Sequence, residues 1–109
     1  MDFKTYQDNA RTTALYPEKG NNICYPALGL AGEAGEVCEK VKKIMRDNDG
    51  IVTAEKVIEL KKELGDVLWY VAALCSEFRI SMDDVAESNI EKLFSRKERG
   101  VIKGSGDNR

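Results

Sequence analysis

Histidine is absent from this chain of 109 residues. That removes the commonest zinc ligand and the commonest group for proton transfer near neutral pH. Any metal must be held mainly by oxygen donors, which points to magnesium, manganese or calcium. Cysteine is sparse and odd in number: Cys24, Cys38 and Cys75, with no C-x-x-C pair. A disulfide scaffold is therefore not expected, and reduced thiols in a cytoplasm are. Net charge is −2, from 17 basic and 19 acidic residues, so electrostatics gives no case for nucleic acid as a partner. No stretch is apolar for long enough to span a membrane, and the opening MDFKTYQDNARTT is too polar for a signal peptide. Proline occurs only at Pro17 and Pro26, so the chain beyond is free of the strongest helix breaker.

What is there is helical periodicity. The pattern predicts a first helix from about Asp2 to Leu15, then a loop over YPEKGNNICYP, where proline, glycine and asparagine interrupt. A second helix runs from Pro26 or Ala27 to Arg46, with Leu30, Ala34, Val37, Val41, Ile44 and Met45 as its apolar stripe. DNDG at 47–50 stops it, and Thr53 is the N-cap of a third helix reaching about Arg79. The apolar face of that helix is broad enough to pack on more than one side. Ser81 with Asp84 resembles a capping box and opens a fourth helix to about Arg99. No strand-like alternation occurs.

The expected architecture is all-α: a single domain, 1–109, built on two long antiparallel helices with shorter flanking ones. A chain this size buries about 65% of its unfolded surface. Homo-oligomerisation, to a dimer or tetramer, is expected to complete the core. Residues 98–109 are glycine-rich and polar, a flexible or substrate-closing tail.

The chemistry lies in LGLAGEAGEVCEK, residues 28–40, and in KKELGDVLWY, residues 61–70. Residues three apart share a helix face, so Glu33 and Glu36 project together, and so do Glu63 and Asp66. If the long helices are antiparallel, the two pairs meet. Four crowded carboxylates repel and raise one another's pKa, a cost relieved by a divalent cation such as magnesium that shares its remaining sites with phosphate. Glu63 and Asp66 sit among Leu64, Val67, Leu68 and Trp69, which is no solvated face. Glu39 and Glu59 read as ordinary surface acids. Gly32, Gly35 and Gly65 adjoin the acids, either for close approach of backbone, ion or substrate, or to let helices pack tightly.

These motifs resemble those of the MazG-like nucleoside triphosphate pyrophosphohydrolases, in the all-α NTP pyrophosphatase superfamily. That family's signature is E-E-x-x-E, a spacer, then E-x-x-D. GEAGE at 32–36 supplies Glu33 and Glu36, residues 37–62 the spacer, and Glu63 with Asp66 the remainder. Gly32 stands where the family often has its first glutamate, which leaves the number of metals open. CYPALGLAGEAGEV, ELGDVLWYVAAL, NIEKLFSRKERG and the ending GSGDNR extend the likeness over most of the chain.

The resemblance implies magnesium, with manganese as a substitute, held by Glu33, Glu36, Glu63 and Asp66. It implies hydrolysis of a (deoxy)nucleoside triphosphate between the α and β phosphates, giving a monophosphate and pyrophosphate. Glu33 or Glu36 would orient or deprotonate the attacking water. Candidate substrate contacts each have a plainer alternative. Lys40 touches phosphate or pairs with Glu36. Asn89, Lys92 and Arg96 reach a nucleotide or line a polar outer face. Trp69, with Tyr70, stacks a base or belongs to the core; Phe3 and Tyr6 carry the same choice. Lys103 and Arg109 close over phosphates or end a loose tail. Cys38 and Cys75 are expected to pack as small apolar residues. A different class of reading is a non-catalytic helical interaction module whose acids form a residual or regulatory cation site.

Overall fold

The computed structural model describes residues 1–109 and is all-helical. Four helices follow in order: α1 (Phe3–Arg11), α2 (Cys24–Asp47), α3 (Ala54–Glu77) and α4 (Met82–Glu98). Three begin on a side-chain cap. Asp2 accepts from the Thr5 N–H at 2.7 Å, Thr53 from the Lys56 N–H at 3.2 Å, and Ser81 from the Asp84 N–H at 3.4 Å. Pro26 falls in the first turn of α2 and is fully buried. α1 stops well short of Leu15. The Thr12 and Thr13 hydroxyls donate to the Asn9 and Ala10 carbonyls at 2.7 Å each, an alternative to continued helix. The chain then turns inward to bury Ala14 and Tyr16.

α3 is the central element, packed on α2 along its length, on α1, and on α4 near its C-terminal end. Cross-helix contacts fix the direction of α2. Tyr25 lies by Tyr70, Glu33 by Glu63 and Asp66, and Lys40 by Glu59. Position advances along α2 as it recedes along α3, so the pair is antiparallel. The core gathers on the C-terminal half of α3. One cluster joins Ala14, Tyr16 and Ala73 with Trp69; the other joins Ala72, Cys75 and Met82 with Tyr6 and Leu68. Gln7 locks α1 to the α3–α4 turn: its amide donates to Ser76 Oγ and the Ile80 carbonyl, and its oxygen accepts from the Met82 N–H at 2.8 Å.

The other half of the long hairpin is thinly covered. Leu28, Met45, Val57 and Leu64 are each more than half exposed. Cys24, Leu28, Ala31, Gly35 and Cys38 recur at alternating spacings of four and three, and all are exposed, which makes an uncharged stripe on α2. Cys75 is buried as expected, but Cys38 is not. Nor do Gly32, Gly35 and Gly65 let these helices pack tightly, because a Cβ on any of them would meet nothing within 4 Å. The close approach is at Gly29, where a Cβ would lie 2.1 Å from the Tyr70 ring.

The tail folds back on α4. Lys92 and Arg96 hold the Asp107 carboxylate at 2.9 and 3.1 Å, and Arg99 donates to the Arg109 carbonyl at 2.9 Å. No helix is long and apolar enough to cross a membrane.

Candidate active site

Antiparallel pairing brings acids from two helices together. Glu33, Glu63 and Asp66 each offer a carboxylate oxygen, all within 4.8 Å of one another. Glu33 and Glu63 are half-buried and Asp66 is exposed. None of the three forms an ion pair with a lysine or arginine. Partial burial, and then the charges of Asp66, Glu63 and Glu36, push the Glu33 carboxyl above the usual carboxylate range. An all-oxygen set carrying uncompensated negative charge fits a hard divalent cation. Glu36, one turn along α2, is exposed and stands outside this group of three.

Glu33 and Asp66 open onto a cleft of about 380 Å³, lined also by Thr13, Trp69 and Tyr70. Trp69 serves both the core and the cleft. Its indole packs against the buried Ala14–Tyr16–Ala73 cluster, while its Nε1–H donates to Thr13 Oγ1 at 2.8 Å. Tyr70 meets Trp69 edge-on, centroids 5.0 Å apart, and is wedged against α2 at Gly29. Burial, the neighbouring Tyr25, and the Glu33 and Asp66 charges raise the Tyr70 hydroxyl pKa. Burial and Asp66 do the same for Tyr6.

The remaining candidates lie elsewhere. Lys40 bridges to Glu59 of α3 at 3.8 Å rather than to Glu36. Asn89 and Lys92 border a separate open groove with Arg79 and Ser88. Lys92 and the buried Arg96 are engaged with Asp107, and Arg109 with the carbonyls of Val101, Ile102 and Gly106. Sequence reasoning missed Thr13, which follows an interrupted helix and carries no motif. It also missed Gly29, although that glycine lies one turn before Glu33.

The family model of the MazG nucleotide pyrophosphohydrolase domain matches residues 26–101, which includes both acid pairs. The chain belongs to the MazG family. Two relatives carry the likeness further. "Gene 37 protein" of Mycobacterium phage L5 is 49% identical over 114 residues, covering 100% of each chain. "Uncharacterized protein YvdC" of Bacillus subtilis (strain 168) is 36% identical over 74 residues, spanning 63% of this chain and 70% of its own. No solved structure matches the chain. Membership in the MazG family carries nucleotide pyrophosphohydrolase activity in general terms, the use of a divalent cation and an all-α fold. Glu33, Glu63 and Asp66 form a group of acids that could hold a metal ion.

Proposed function

We propose that the protein hydrolyses (deoxy)nucleoside triphosphates between the α and β phosphates, releasing a nucleoside monophosphate and pyrophosphate. The role would be control or cleansing of a nucleotide pool. The observation that carries this reading is the meeting of Glu33, Glu63 and Asp66 beside a cleft walled by Trp69 and Tyr70. Magnesium, with manganese as substitute, would be held by these three acids, with Glu36 completing the set from the next turn. When bound, such a cation neutralises phosphate charge and acidifies water.

The chain's own groups do the rest. Glu33 or Glu36 would orient the attacking water or accept its proton, the work that histidine does elsewhere. Trp69 and Tyr70 offer an aromatic surface to a base, a contact worth about 1–3 kcal/mol. Lys40, Asn89, Lys92, Arg96 and Arg109 line no part of this cleft, and the lysines and arginines among them would have to leave their present partners to reach a nucleotide.

A second copy of the chain is part of the proposal. The accessible surface is 7925 Å², whereas a compact chain of this length exposes about 6,000 Å². The radius of gyration is 16.8 Å, against about 13 Å for a compact domain. The surplus is enough for a standard interface, which takes about 800 Å² from each partner. The stripe through Leu28 and Gly35 is where α2 of a partner would lie. A cytoplasmic setting belongs to the same reading, since free thiols and nucleotide pools go together there.

The alternative, an interaction module with a residual cation site, is favoured by Gly32 at the first-acid position and by Glu36 outside the acid group. A panel of canonical and modified nucleoside triphosphates, incubated with magnesium and assayed for pyrophosphate, separates the two. Pyrophosphate release that disappears in Glu63→Gln supports the enzyme; no release from any triphosphate leaves the module.

A further inference from the structure

Glu77, the last residue of α3, is fully buried in its side chain and has no part in the proposed chemistry. Its carboxylate is saturated with donors. The Gly20 N–H reaches both oxygens at 2.9 and 3.0 Å, the Asn22 N–H one at 3.3 Å, and the Tyr16 hydroxyl one at 3.0 Å. Arg11 adds its Nη2 at 3.4 Å. Burial alone would raise this carboxyl's pKa. The Gly20 N–H, Tyr16 hydroxyl, Arg11 and Asn22 outweigh it and hold the group below the ordinary range. An ionised carboxylate, with acceptors on both oxygens and no proton of its own, suits such a set of donors. Glu77 therefore fastens the loop between α1 and α2 to the end of α3.

Tyr16 carries that anchorage toward the cleft. Its hydroxyl accepts from Arg11 Nη1 at 2.6 Å while donating to Glu77. Its ring stacks face to face on Tyr25, centroids 4.9 Å apart and planes 10° from parallel. It also meets Trp69 edge-on at 6.5 Å. Tyr25 in turn stands 6.5 Å from Tyr70. Both aromatic residues of the cleft wall thus rest on a tyrosine pair whose position Glu77 fixes, and Gly29 leaves the space into which Tyr70 is pressed.

We propose that Glu77 is a positioning residue: through Tyr16 and Tyr25 it sets where Trp69 and Tyr70 stand, and so governs nucleobase binding without touching substrate. The second half of this rests on the nucleotide reading of the cleft. Since Glu77 does not adjoin Glu33, Glu63 or Asp66, its loss should act on binding and spare turnover.

Trp69 is the only tryptophan, so near-ultraviolet circular dichroism and emission report on the wall directly. Glu77→Gln turns one acceptor into a donor facing the Gly20 N–H. Tyr16→Phe removes only the hydroxyl and keeps the stack, and it carries the test if the first variant does not fold. The expected result is a changed Trp69 signal in the folded variant, KM raised about tenfold as stacking is lost, and kcat within about twofold. Tyr16→Phe should move both readouts the same way by less. A folded variant with an unchanged Trp69 spectrum and KM, or with kcat reduced at constant KM, overturns the proposal. A wild-type chain that turns over no triphosphate defeats the nucleotide reading instead, and the Trp69 spectrum still decides whether Glu77 places the wall.

Discussion

The ring of Tyr70 occupies the space where a side chain on Gly29 would begin. Three of its atoms lie 2.1–2.5 Å from the position of a Cβ there. In a helix interior, glycine to alanine normally gains stability, by about 1 kcal/mol. Here the methyl displaces an aromatic ring, and overpacking of that kind costs about 1–3 kcal/mol. Gly29→Ala should lower the melting temperature and disturb Trp69 fluorescence. A melting temperature that rises would mean Tyr70 moves aside at no cost.

Glu63→Gln removes one of three convergent carboxylates while keeping shape. Outer partners of metal ligands are worth about 10- to 100-fold, so losing a ligand should reduce pyrophosphate release by about 100-fold or more. Magnesium should stabilise the wild-type chain by about 2.7 kcal/mol at a hundred times Kd, and so raise its melting temperature. The variant should lose most of that shift, and an equal shift in both would remove Glu63 from the cation site.

Acid should act through Glu77 and Glu33 with opposite signs. Glu77 is held below its ordinary value, so its stabilisation is present above about pH 4.3 and lost as pH falls through its lower folded value. Glu33 is raised, so protonating it relieves repulsion as pH falls through its higher folded value. Denaturant melts should then show Glu77→Gln losing less stability than wild type between pH 4 and about pH 2. Equal losses would mean that Glu77 is not the group responsible.

Self-association should run through the uncharged stripe of α2. The wild-type chain should sediment as a dimer or larger at micromolar concentration, and Leu28→Glu should dissociate it without unfolding. A wild-type monomer at such concentrations would show the exposed face to be stable in water by itself.

Local chemistry is what made much of this legible. Thr53 and Ser81 read as caps because each is a hydroxyl residue placed just before a periodic run, and both cap in the structure. The meeting of Glu33 with Glu63 and Asp66 was foreseeable because i,i+3 acids on two long helices joined by a short turn have one simple way to pair. Glu77 carried no such signal. Its partners Gly20 and Tyr16 lie 57 and 61 positions earlier, in a loop whose course depends on the finished packing. Its one trace was an acid closing the apolar run WYVAALCSE. Lys40 misled for a related reason: a neighbour four residues along the helix, Glu36, competed with Glu59 across the helix pair, and the cross-helix partner prevailed. The early end of α1 came from two threonine hydroxyls that bond backward, which helical periodicity does not register.

The thiols are distributed in a way that makes the molecule its own footprint reagent. Cys24 and Cys38 stand exposed on one side of α2, and Cys75 is sealed inside. A maleimide added to protein dilute enough to be monomeric should therefore label two sites quickly and spare the third. Each would slow in proportion to how much of α2 a neighbouring molecule shields, so alkylation rates followed by mass spectrometry would map that contact without altering a residue.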